Sequence, residues 1–130
     1  MATIKSFTDL QQSKKLAEIL SLESADMWWN FYSVTTDDTT PQIIHIDTPW
    51  VGNFNWDNKP DNVPCWSLAA LLGVMPRIEH LKPYIDLSPK LDSEEVAIYY
   101  HSEDSPYIVK DNLIDACYEM IINLHKHHLL

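Results

Sequence analysis

Cys65 is the residue whose type and position best suit catalysis. It precedes Trp66 at the predicted start of an apolar helix, where the positive end of the helix dipole and unpaired amides would stabilise a thiolate. His80 and His101 are the candidate bases, because they stand between this cysteine and the terminal helix. The pattern predicts a small cysteine-dependent hydrolase as one function. The competing interpretation is a buried structural thiol, since such a cysteine behaves as a small hydrophobic residue.

Metal and nucleotide chemistry have weaker support. His125 and His128 are three residues apart, so both imidazoles could face one ion on a helix, but two ligands do not complete a site. The chain has only two glycines, Gly52 and Gly73, and therefore lacks a glycine-rich phosphate loop. We expect no metal, no cofactor and no catalytic residue in the leading interpretation.

Residues 47–64 are the strongest candidate for a binding site. This segment holds three prolines and four asparagines without a sustained hydrophobic period, which predicts a long irregular loop. Aromatic faces beside amide side chains can stack on ligands and often anchor protein interfaces. The alternative is that the rings hold the loop against the core. The candidate binding residues are Trp50, Phe54, Asn55, Trp56 and Asp57.

Composition and charge narrow the possible partners. The 130 residues, 45% of them hydrophobic, predict a single domain over 1–130. A net charge of −10 argues against direct binding of a nucleic-acid backbone, and it allows an acidic nucleic-acid mimic as a further alternative. We find no apolar run of membrane-spanning length and no signal-peptide core, so a cytoplasmic location without membrane attachment is expected.

Three helices and several strands position these residues. Thr8 and Gln11 have the spacing of a capping box, and apolar residues recur with helical period in the last segment. The predicted helices cover about 9–20, 65–72 and 112–127, with Gly73 as a stop for the second. Alternating or β-branched segments predict strands at 26–34, 42–46, 84–87, 95–101 and 107–110. The expected fold is α+β, with the helices packed on a small, mostly antiparallel sheet.

Three stretches of the chain also resemble a known family. They are FTDLQQSKKLAEILSLESADMWW (7–29), VPCWSLAALLGVMP (63–76) and NLIDACYEMIINLHKHHLL (112–130). They resemble short uncharacterised proteins encoded in gut-bacterial, Bacteroides-type genomes and in their phages or mobile elements. The resemblance implies a phage or mobile-element accessory protein and supplies no activity. Together with the aromatic loop it predicts a non-enzymatic binding protein with a protein partner.

Overall fold

The computed structural model describes residues 5–29, 31–35, 41–45, 50–51, 62–91, 93–102 and 105–130. The fold is α+β, as the sequence predicts. Within these residues there are three α-helices, and the strands form small antiparallel sheets. The helices are α1 (Leu10–Ala17), α2 (Leu68–Val74) and α3 (Leu113–Lys126).

The helix boundaries follow local capping chemistry. Asp9, not Thr8, caps α1: its side chain accepts from the Gln12 backbone amide at 2.8 Å, and the Gln12 side-chain oxygen accepts from the Asp9 backbone amide at 3.1 Å. The capping box thus lies one residue later than the predicted Thr8 and Gln11 pair, and Thr8 is buried. Beyond α1, hydrogen-bonded turns continue to Leu20, which accounts for the longer predicted helix.

The second helix differs most from its prediction, which was 65–72. Ser67 caps it by accepting from the Ala70 amide at 3.2 Å, so the helix begins three residues after Cys65. Gly73 lies inside the helix and does not stop it. The helix ends at Val74, because Pro76 disfavours a helical conformation for Met75, whose backbone is extended.

In the described part of the chain, eight strands form three sheets, all antiparallel. The strands are β1 (Met27–Trp29), β2 (Phe31–Thr35), β3 (Pro41–His45), β4 (Trp50–Val51), β5 (Val63–Cys65), β6 (Tyr84–Asp86), β7 (Val96–Tyr99) and β8 (Ile108–Lys110). Their orders are β4-β1-β5, β2-β3 and β6-β7-β8. The predicted strand at 26–34 is therefore two strands in different sheets, and the one expected sheet is three small ones.

The first of two compact units covers residues 9–66. In it α1 packs against β5, and β5 pairs with β1. Leu16, Trp29, Cys65 and Trp66 are buried. The indole nitrogen of Trp29 donates to the Ser13 hydroxyl at 3.1 Å, so a polar ring edge is satisfied inside this core.

The second unit contains residues 5–8 and 67–130. Its centre is α3, which packs against α2 and against β7 and β8. The buried residues of this core are Leu71, Met75, Ile98, Ile114, Cys117, Met120, Ile121 and Leu124. An ion pair of 2.8 Å between Lys5 and Asp115 joins the amino-terminal residues to the start of α3. The expectation of a single domain stays a prediction.

Candidate functional site

The predicted binding loop lies mostly outside the described residues. Of its candidates, only the backbone of Trp50 is described: it belongs to β4 and stands opposite Trp28 of β1. Phe54, Asn55, Trp56 and Asp57 lie outside the described part of the chain. Binding by this loop therefore stays a prediction.

Cys65 does not occupy the start of a helix. It is the last residue of β5, it is fully buried, and Ser67 caps the amides of α2 in its place. The helix-dipole argument for a thiolate at Cys65 therefore does not hold, because that argument required Cys65 to lie at the helix start. A buried side chain is also closed to substrate in this structure.

The two candidate bases have different surroundings. His80 is exposed in a turn with a backbone φ of 68°, and its carbonyl accepts from the Arg77 guanidinium at 3.2 Å. His101 makes edge contacts with two tyrosine rings, at 4.1 Å from Tyr84 and 5.4 Å from Tyr99 between ring centroids. His101 therefore belongs to an aromatic cluster that the sequence analysis did not single out.

The two carboxyl-terminal histidines considered as metal ligands lie on different parts of the helix end. His125 lies in the last turn of α3, and His128 follows the helix with a φ of 58°. Among the residues that the structure describes, no group of three or more His, Cys, Asp or Glu side chains could hold a metal ion.

The aromatic cluster is built on the second unit's sheet, one tyrosine from each strand region. Tyr84 of β6 stacks on Tyr99 of β7, with centroids 6.0 Å apart and planes inclined by 17°. Tyr99 in turn meets Tyr107, which directly precedes β8, at 5.2 Å and 38°. We call Tyr84, Tyr99 and Tyr107 the tyrosine row. It crosses the whole width of the sheet, with His101 against its Tyr84 end.

Strand register explains why these rings meet. Tyr84 pairs with Tyr99, and the pairing of Ile98 with Ile108 brings Tyr107 opposite Tyr99. Directly opposite residues of antiparallel strands have their side chains on the same face and close enough to touch. The row is therefore a consequence of the register of both hairpins.

The tyrosine row remains open to solvent. Tyr84 is 45% exposed and Tyr107 is 57% exposed, while Tyr99 between them is half-buried. Ala97 on the same face is buried, so the open part of the face is the end that carries the rings. Leu81, Ile85 and Leu87, in or beside the edge strand β6, are exposed as well, but Ile85 pairs with Ile98 and therefore lies on the opposite face of the sheet from Tyr84. The contacting tyrosine rings are therefore the continuous exposed surface of this face. Contiguous exposed apolar surface is typical of an interaction site.

The opposite face of the same sheet is closed along the central strand β7. Val96, Ile98 and Tyr100 alternate with the open positions and are buried. The Tyr100 hydroxyl donates to the Pro76 carbonyl at 2.7 Å. Burial raises the pKa of Tyr100 to about 12, and the nearby thiolate form of Cys117 adds to this increase. Burial alone raises the pKa of Cys117 of α3 to about 12. Both groups are neutral at physiological pH and serve packing.

Sequence reasoning predicted the hairpin at 95–101 and 107–110 but did not find the row. The available signal was the period of two that places Tyr99 and His101 on one face. The sequence did not reveal the register of the two strands joined by the SEDSP connection. It also did not reveal which strand pairs with the weakly predicted strand at 84–87. Without these, three tyrosines far apart in sequence do not identify a common surface.

Comparison with known proteins gives no match: no family model fits the sequence, and no curated protein or solved structure matches it. The resemblance to gut-bacterial and phage proteins therefore stays a prediction. None of the helices in the described ranges is both long and apolar enough to cross a membrane.

Proposed function

We propose that this chain is a non-enzymatic binding protein that recognises a protein partner through the tyrosine row. The observation that supports this most is the exposure of contacting tyrosine rings, from β6, from β7 and from the residue before β8, on one face of a sheet. Tyrosine is enriched in protein interfaces, because its ring offers a large contact area at a small cost in conformational entropy. The row is therefore a suitable interface centre.

The proposal also includes the biological setting of the protein and a second surface that contacts the partner. The resemblance supports an accessory role in a phage or mobile element. A cytoplasmic location fits a chain with only two cysteines, both buried thiols, because reducing compartments rarely select for disulfides. The aromatic loop, with Trp50 and Trp56, is proposed as a further contact with the partner.

The non-enzymatic part of the proposal rests on Cys65. A hydrolase needs a nucleophile that substrate can reach and a group that activates it. Cys65 is fully buried at the end of a strand, and His101 contacts two tyrosine rings. The acidic-mimic alternative concerns the partner's charge and is addressed by salt dependence in the same binding experiment.

The test is affinity capture of the tagged full chain from lysate of the cells that encode it, with nuclease present and at two salt concentrations. We expect one stoichiometric partner for the unaltered chain. The Tyr84→Ala/Tyr107→Ala variant should bind this partner about 30-fold or more weakly, the effect of losing interface residues worth ~2 kcal/mol.

Two further variants make this result specific. Leu129→Ala removes a side chain with the same 45% exposure as Tyr84 from the carboxyl terminus, and it should keep the partner. Trp50→Ala/Trp56→Ala tests the loop separately. A partner that the tyrosine variant retains at full affinity would contradict recognition by the row. Loss of the partner only in the tryptophan variant would move the site to the loop.

A further inference from the structure

The segment of the chain that carries the tyrosine row is strongly acidic. Residues 84–107, the segment that contains the whole row, hold six carboxylates and one basic residue, Lys90. The chain as a whole has 19 acidic and 9 basic residues, so the acidic excess is concentrated in this segment. Lys90 itself lies 3.8 Å from a Glu95 carboxylate oxygen, so its charge already has a counter-charge nearby.

Aromatic faces and negative charge together favour a cationic occupant. The face of a tyrosine ring carries the negative part of the ring quadrupole and attracts a cation within about 6 Å of the centroid. Arginine suits such a surface best, because its planar guanidinium stacks on aromatic faces and is weakly hydrated. The net negative charge of this segment disfavours an anionic partner such as a nucleic-acid backbone.

We propose that the tyrosine row binds an arginine-bearing cationic segment of the partner protein, with a guanidinium group stacked on Tyr107 or Tyr84. This inference rests on the proposed function and names the chemistry of the partner. The exposed outer rings at the two ends of the row provide the stacking faces, and Tyr99 holds them in place by contacting both.

The experiment uses the full chain and two synthetic peptides. One peptide alternates glycine with arginine, and the other has citrulline in place of every arginine, which keeps the planar group and removes the charge. Nuclear magnetic resonance of the tyrosine ring protons follows each titration. We expect saturable shifts at Tyr84 and Tyr107 with the arginine peptide only, and weaker binding as salt increases.

Substitutions separate ring chemistry from apolar contact. Tyr107→Leu retains an apolar side chain without a ring. It should weaken binding of the arginine peptide about two- to fivefold, which corresponds to the loss of one exposed cation–π contact. Tyr107→Phe retains the ring and should bind as the unaltered chain does. Tyr84→Leu repeats the test at the other end of the row, and Leu129→Ala is the matched control. The amide spectrum of each variant shows that it is folded.

Three results would overturn the inference: equal binding of the citrulline peptide, unchanged affinity in both leucine variants, or no ring shifts with the arginine peptide. These outcomes differ from failure of the proposed function. If the alanine variants lose the captured partner while the arginine peptide does not bind, the function stands and the cationic partner is wrong. If the peptide binds the row but the variants keep the partner, the proposed function is wrong and the cation-binding surface stands.

Discussion

Tyr99 and Tyr100 are neighbours in the chain and have opposite situations. Tyr100 lies on the closed face of the sheet, with its hydroxyl bonded to the Pro76 carbonyl and its ring buried. Tyr99 lies on the open face, between two rings that are themselves exposed. The residue type is the same, so the difference comes from what covers each face. Covered rings stabilise the fold, and uncovered rings are available for a partner.

Two tryptophans of the first unit support this distinction. Trp29 and Trp66 are both buried, and their indole nitrogens donate to Ser13 and Ser24 at 3.1 and 3.0 Å. A buried aromatic residue whose polar edge is hydrogen-bonded inside the core stabilises the fold and offers no surface to a partner. Aromatic density along the sequence is therefore a poor guide to binding. Exposure of several rings on one face is a better one.

The largest loss of folding stability is expected from a substitution on the closed face. Ile98→Ala removes a fully buried side chain from the centre of the sheet, and the cavity should cost ~2–5 kcal/mol of the free energy of unfolding. Chemical denaturation of the variant and of the unaltered chain measures this difference.

Ile85→Ala is the matched control for Ile98→Ala. Ile85 stands directly opposite Ile98 in the register, but on the edge strand, where it is 38% exposed. Its substitution should cost clearly less, since water already reaches part of the side chain. Equal costs at the two positions would show that the Ile85 side chain is covered in solution and that this edge of the closed face belongs to the core.

A smaller loss of folding stability is expected at alkaline pH, and it again arises from residues of the closed face. The pKa values of Tyr100 and Cys117 are about 12 in the folded chain, against 10.0 and 9.0 for the ordinary groups. A folded-state pKa raised above the unfolded one means that the stabilisation is fully present below the unfolded pKa. It should be lost as pH rises from about 9 to about 12.

The measurement is chemical denaturation at about pH 8 and about pH 11, on either side of most of this loss. Tyr100→Phe and Cys117→Ala should each reduce the alkaline loss of stability, and the double variant should reduce it further. If the double variant loses as much stability between the two pH values as the unaltered chain, the closed face is not the source of the effect.

The sequence predicts the fold class and the helices well because their signals are local. The apolar period of α3 and the asparagine cap at Asn112, which accepts from the Asp115 amide at 2.9 Å, can both be recognised within one segment. A helix boundary is harder to predict where two nearby residues could each begin the helix. Ser67 and Cys65 both precede the second apolar segment, and only the capping bond decides that the helix begins after Ser67.

The candidate site could not be derived from the sequence for a different reason. Tyr84, Tyr99 and Tyr107 meet only because two hairpins have a particular register, which is a long-range property. The case for Cys65 depended on a predicted helix start at residue 65, and the helix begins three residues later, which removes the argument. Chemistry that depends on one boundary is therefore less secure than a face defined by several strands.

The smallest effect on stability, and the sharpest test of the comparison, is expected at Tyr107. Tyr107→Ala removes a ring that is 57% exposed and contacts Tyr99 across the strands. Cross-strand pairs of this kind contribute about 0.2–1 kcal/mol, so the free energy of unfolding should fall by no more than this. The affinity for the partner should fall much more, because in the proposed complex the partner covers the exposed part of this ring. Denaturation and capture of the same variant give both numbers, and a stability loss as large as that of Ile98→Ala would place Tyr107 in the core of the fold.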